Sequence, residues 1–134
     1  MTIFSHYPLQ AAIYQALSSD SALAALVTGV YDRPPQSTAF PYMTIGESSG
    51  SDWSTKTTSG MEQQLAIHVW SQNGGRKEAA AIMTRIHTLL HQANLSVSGQ
   101  TLVLLRFVSS DIVLEDDGYT YCGSMRFRAL LEAV

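Results

Sequence analysis

The sequence predicts an α+β domain: a mostly antiparallel sheet of four to five strands, one long helix packed on one face of it, and short helices at the N-terminus. Three observations carry that expectation. Met61 to Ser71, MEQQLAIHVWS, alternates Leu65, Ile67 and Val69 with Gln64, Ala66, His68 and Trp70, the two-residue period of a strand with one buried face. Arg76 to Ala93 places Ala79, Ile82, Met83, Ile86, Leu89, Leu90 and Ala93 at i, i+3, i+4, i+7 spacing, which gives a helix one apolar stripe to lay on a sheet. Glu115-Asp116-Asp117-Gly118 separates two more apolar runs, and Asp-Gly supplies the positive φ that a tight hairpin needs.

The remaining elements follow in order. Pro8 sits where a first helical turn tolerates it, and Ala11, Ala12, Tyr14, Gln15 and Leu17 continue a short helix that ends at Ser18 and Ser19. Ser19 or Asp20 then caps SALAALV, with Leu23, Leu26 and Val27 apolar and Gly29 as the stop. Val30-Tyr31 is a short extended piece. Arg33-Pro34-Pro35 forces a stiff turn, because proline fixes its own φ and pushes the preceding residue out of the α region. Phe40-Pro41 opens an extended segment, and Tyr42 to Glu47 is a strand expected to pair antiparallel with Met61 to Ser71.

Between those two strands lies Ser48 to Ser59, SSGSDWSTKTTS, with five Ser, three Thr and a Gly, and Trp53 as its one large apolar residue. A stretch so polar cannot bury itself, and loops of this length are uncommon unless functional or disordered. It is expected to be a flexible strand-loop-strand arm at about 46–60, ordered by a partner, whose deletion from Ser49 to Ser59 leaves the fold intact. After the long helix, Ser98-Gly99-Gln100 forms a turn, and Thr101 to Leu114 is apolar enough to be expected as a central strand. The last strand, Tyr119 to Leu131, alternates Tyr121, Gly123, Met125, Phe127 and Ala129 with Cys122, Ser124, Arg126 and Arg128.

Composition narrows the classes. A chain of 134 residues fits a single domain, 1–134, with a core that needs neither disulfide nor metal. Hydrophobic residues make up 46% and charged ones only 14%, and the mean hydropathy of +0.04 is high for a freely solvated monomer. Apolar surface covered by other subunits is the expectation. The net charge of −3 gives no global attraction to nucleic acid or anionic membrane. The single Cys122 excludes an internal disulfide and suits a reducing compartment. No basic leader precedes an apolar segment, and no apolar run approaches the ~20 residues of a membrane span, so neither secretion by a signal peptide nor a membrane partner is expected.

Few residues announce chemistry. His87 and His91 lie i, i+4 on the long helix, a spacing by which two imidazoles can share a metal. The intervening Thr88, Leu89 and Leu90 lack the general-base Glu of metalloproteases, so a flanking helix face is the plainer reading and a small metal-dependent enzyme the alternative. His68 beside Trp70 reads as a packing or hydrogen-bonded histidine, and His6 belongs to the N-terminal lead. Glu115, Asp116 and Asp117 stop at Gly118 without the alternation of a calcium loop. Asn73-Gly74-Gly75-Arg76-Lys77 resembles an anion cradle without P-loop spacing. No nucleophile and base group together, and no cofactor site is indicated.

Strand alternation puts Val103, Leu105 and Phe107 on one face with Met125 and Phe127, and gathers Arg106, Arg126 and Arg128 on the other. Two readings stand. One is a solvated face with ion pairs to Asp111, Glu47 or Glu62; the other is a partner-facing or channel-facing surface, with Trp70 nearby, able to touch a phosphate backbone without sequence specificity.

Taken together, AIYQAL, ALAALV, Tyr31-Asp32 followed by Phe40-Pro41-Tyr42, Asp52-Trp53, His68-Val69-Trp70-Ser71 with Gly74-Gly75, GQTLVLLRF and the closing Arg126-Phe127-Arg128 resemble the tail-terminator family of long-tailed phages, prophages and gene-transfer-agent particles. The correspondence runs in order along almost the whole chain. It implies a structural virion protein and no enzyme, with no catalytic residues, cofactors or metals to carry over. It implies a hexameric ring that caps the head-proximal end of a tail tube, stops tube polymerisation and joins tail to head. The implied partners are copies of the chain, the major tail tube protein, a head connector or stopper, and DNA passing through the ring. The implied location is the tail-head junction of the virion, with assembly in the host cytoplasm. The arm, through Ser49, Asp52, Trp53, Lys56 and Thr57, is expected to reach the tube or a neighbouring subunit, and Trp70, Arg106, Arg126 and Arg128 form the candidate channel or interface face.

Overall fold

The computed structural model describes residues 6–133, arranged as two layers. Helices α1 (Tyr7–Ser18), α2 (Ser21–Ala24) and α3 (Lys77–Leu90) lie on one face of a five-stranded sheet built from β1 (Val30–Tyr31), β2 (Tyr42–Asp52), β3 (Gly60–Ser71), β4 (Gln100–Leu114) and β5 (Tyr121–Ala133). The strand order is β1-β2-β3-β5-β4. β1 joins β2 in parallel, and every other neighbour is antiparallel. No described helix is long and apolar enough to cross a membrane.

The predicted periods become one core. Leu65, Ile67 and Val69 from β3, Met125, Phe127, Ala129 and Leu131 from β5, and Leu105 from β4 meet Ala79, Ile82, Ile86 and Leu90 of α3. Leu9, Ile13 and Leu17 of α1 and Leu23 of α2 complete it. Removing such side chains from water is the main source of stability, at about 1.5–3 kcal/mol each. Asp20 caps α2 by accepting the Leu23 N–H at 2.8 Å, and the same carboxylate takes both a 2.9 Å and a 2.7 Å bond from the Arg85 guanidinium. That fork ties the N-terminal helices to α3. It also holds the Asp20 carboxyl down at about 2, the Arg85 bond being the largest cause and the Leu23 amide the next.

Three expectations need correction. α3 stops at Leu90 rather than Ala93, because His91 turns extended and Gln92 adopts φ 58°. β4 is an edge strand, not a central one; β5 holds the inner position. The apolar count misled because Val103, Val108, Val113 and Leu114 are exposed, and register shifts at Leu102/Leu104 and Phe107/Ser109 leave Val103 and Val108 outside the β4–β5 pairing. Val103 therefore does not share the buried face with Leu105. The polar insert, finally, is strand in its first part: Ser48, Ser49, Gly50, Ser51 and Asp52 pair with Leu65, Gln64, Gln63, Glu62 and Met61.

The end of the sheet near the insert is nearly flush. Gly60 lies opposite Glu132, and Gln100 opposite Ala133. Among the described residues, 53–59 extend past it, as does the short Ser98–Gly99 turn that leads into Gln100. The Glu115–Gly118 hairpin forms as predicted, with Gly118 at φ 85° and the Asp117 carboxylate accepting the Tyr119 and Thr120 N–H groups.

Candidate functional site

The tip of the β2–β3 hairpin is ordered by its own polar side chains. Trp53 N–H donates to Gly60 O at 2.9 Å, Gly60 N–H to Ser54 Oγ at 3.0 Å, Thr55 N–H to Thr58 O at 2.8 Å, and Thr58 N–H to Thr55 Oγ1 at 3.0 Å. Asp52 accepts the Ser54 hydroxyl at 2.7 Å. The base is anchored too, since Ala133 N–H donates to Ser59 O. Ser and Thr hydroxyls thus close a local turn instead of leaving the backbone open. Ser49 and Asp52 sit on the paired strand, Trp53 folds back against Gly60, and Lys56 and Thr57 occupy the exposed apex. The expectation of an arm that stays unstructured until it meets a partner is corrected accordingly.

The sheet face opposite the helices carries no helix or strand among the described residues, and there the arginines gather as alternation predicted. Arg106 lies directly opposite Arg128, and Arg126 opposite Ser109. Carboxylates answer two of them: Arg128 Nε donates to Glu62 at 2.5 Å, and Arg126 stands 3.8 Å from Asp111. Arg106 has no ion-pair partner among the described residues. With Glu47 and Glu132 included, three cations share the face with four carboxylates, so it is close to neutral rather than basic. Trp70 belongs to the same face but to a different cluster. Its indole N–H donates to Thr44 Oγ1 at 3.1 Å, and its ring stacks on Tyr42, which is followed by Phe40 and Tyr31.

His68, read from the sequence as a packing or hydrogen-bonded histidine, lies between these clusters and is hydrogen-bonded. The irregularity in β2 between Ile45 and Ser48 turns Glu47 toward His68, whose Nε2 is 3.2 Å from Glu47 Oε2 and whose Nδ1 is 2.8 Å from Ser124 Oγ. Gly46 permits this, because a Cβ there would stand 2.6 Å from the His68 ring. The Glu47 carboxyl is held below the ordinary glutamate value by its own backbone N–H first and by His68 next. Cys122 lies beside His68 with its thiol pushed up by burial, which makes it a poor nucleophile. A shallow cleft of about 230 Å³ opens between Glu47, Ser49, Gln64, Ala66 and Arg126. Gly-Glu within a strand pattern was the signal available for this irregularity.

His87 and His91 pack on each other, and His87 also meets Phe107 edge-on. Their rings stack at 4.8 Å and 20°, and His91 Nδ1 is occupied by the Phe107 N–H at 3.0 Å. His6, assigned to the lead, instead bonds Ser48 Oγ at 2.8 Å.

Comparison with known proteins agrees with this structural, non-catalytic character. A family model described as Tail completion protein gp17 matches residues 11–132. The Tail completion protein gp17 of Bacillus phage SPP1 is 31% identical over 122 residues, 90% of this chain and 89% of that protein. A chain of the virion of the native gene transfer agent particle superposes with a TM-score of 0.88 at 35% identity, over 93% of this chain and 95% of that one. The structure of bacteriophage SPP1 gp17 superposes with a TM-score of 0.66 at 28% identity, over 92% and 88% respectively.

Proposed function

The chain belongs to the tail completion protein gp17 family, and from that premise we propose that its copies form a hexameric ring that caps the head-proximal end of a tail tube, ends tube polymerisation and joins the tail to the head. It is a structural component of the virion tail and not an enzyme. The observation that carries the ring reading is the near-complete structural correspondence with a chain of an assembled particle. The apolar composition and the exposed valines of β4 support it, because a subunit in a ring covers surface that a monomer leaves wet.

Within that reading, the seven-residue tip meets the tail tube protein through Trp53, Lys56 and Thr57, while Ser49 and Asp52 brace it. The head connector takes the opposite end of the ring. DNA passes without sequence specificity, and the pairing of Arg126 and Arg128 with acids suits such a lining, since unpaired cations would retain phosphate. Assembly takes place in the host cytoplasm before the particle is complete.

The test is polymerisation of the tail tube protein with and without the purified chain, followed by electron microscopy. Annular density at one end and arrested growth are expected. Tubes that lengthen unchanged, with no chain sedimenting alongside them, would overturn the proposal.

A further inference from the structure

The open sheet face carries opposite charges at its two edges. On β4, Arg106 is exposed, lacks a carboxylate among the described residues, and is bracketed by the exposed Val103 and Val108. On β2, Glu47 is exposed at the far edge, since β1 covers β2 only at Met43 and Thr44. Register places the two at nearly one height. Arg106, Arg128, Gln64 and Ser49 form a single rung across four strands, and Glu47 is two residues from Ser49 on β2.

Strand sense adds a second complementarity. Three successive antiparallel pairings make β4 run opposite to β2. A copy placed beside the first by rotation about an axis roughly along the strands therefore lays its β2 antiparallel to β4. Beside β2 there is also a recess of about 440 Å³, of mixed character, in which Tyr7, Ala11, Tyr14 and Ile45 stand among Gln10, Gln15 and Asp32; its apolar part can take the valines of the other flank. An isologous contact would instead set Arg106 against Arg106.

We propose that the β4 flank of one copy docks on the β2 flank of the next, with Arg106 facing Glu47 of that next copy. The contact rests on the ring reading and specifies its subunit interface: heterologous, and therefore able to close a ring. It is made by side chains at its centre, because the residues just after α3 already occupy Leu105 O and Phe107 N of the β4 edge through Gln92 N and His91 Nδ1. The charge pair sets register and partner choice, while the apolar groups around it supply most of the affinity.

The test is disulfide trapping in the full chain with Cys122→Ser, Arg106→Cys and Glu47→Cys. Three strand spacings put these positions about 14 Å apart within one molecule, beyond the roughly 7 Å a disulfide allows, so every cross-link joins two copies. A ladder of covalent multimers beyond the dimer is expected, and Arg106→Glu is expected to weaken assembly at least about tenfold, with Glu47→Arg restoring it in the double variant. Dimers formed by Arg106→Cys alone would overturn the proposal. Oligomers by native mass without a ladder would overturn the contact and leave the ring reading standing. A chain that stays monomeric at every concentration, with and without tail tube protein, would overturn both.

Discussion

His91 Nδ1 accepts the Phe107 N–H at 3.0 Å, and the next residue, Gln92, donates its own N–H to Leu105 O at 2.7 Å. The two residues that follow α3 thereby satisfy two backbone groups at the middle of an edge strand. Exposed edges template aggregation, and covering one with a helix end is a way to prevent it. His91→Ala leaves the Phe107 N–H without its acceptor and is expected to cost about 1–2 kcal/mol. Hydrogen exchange should localise the loss, with the Phe107 amide accelerated well beyond its neighbours.

Gly46→Ala tests the β2 irregularity. The added methyl meets the His68 ring, so His68 must leave either Glu47 or Ser124. A cost of about 1–3 kcal/mol is expected from overpacking, read as a lower urea midpoint at unchanged slope. An unchanged midpoint would show that His68 moves freely and that the contact carries no stability.

The Asp20–Arg85 fork gives a pH signature. With the Asp20 carboxyl lowered from 3.8 to about 2, its contribution is fully present above about pH 4 and is lost as pH falls through about 2. Asp20→Asn is therefore expected to be less stable than the parent at neutral pH, with the two converging in acid. Thermal midpoints across a pH series provide the check.

The hairpin tip separates folding from attachment. Replacing residues 55–58 with a short glycine turn leaves every β2–β3 pair and the Ser54 acceptor of the Gly60 N–H in place and is expected to change stability by no more than about 0.5 kcal/mol. Binding to tail tubes should fall at least about tenfold, measured by co-sedimentation. The wider deletion from Ser49 to Ser59 also removes Ser49 to Asp52, four paired residues of β2, and is expected to destabilise the sheet.

Periodicity made most of the core legible. Leu65, Ile67 and Val69 of β3, the stripe of α3, and the gathering of Arg106, Arg126 and Arg128 all follow from the two- and 3.6-residue repeats. What escaped was whatever breaks a repeat. Val103 and Val108 look like core in an apolar run, yet register shifts eject them, and an apolar count cannot show which strand stands outside. The helix ended three residues early because His91 serves β4, a contact 16 residues away in sequence. Polar composition between 48 and 59 suggested a chain without structure, whereas Ser54 and Thr55 build the turn themselves. Glu47 and His68 are separated by 21 residues, and nothing in either local pattern announces the other.

The near-level rim at Gly60, Glu132, Gln100 and Ala133, past which the two-residue Ser98–Gly99 turn reaches less far than residues 53–59, has a mechanical corollary. A folded turn of that size rises roughly 10 Å at strand spacing. Any flat layer stacked on this rim is held off by that height unless it offers a notch of matching depth, so on the proposed ring reading the tip is expected to act as a key that a correctly cut neighbour admits.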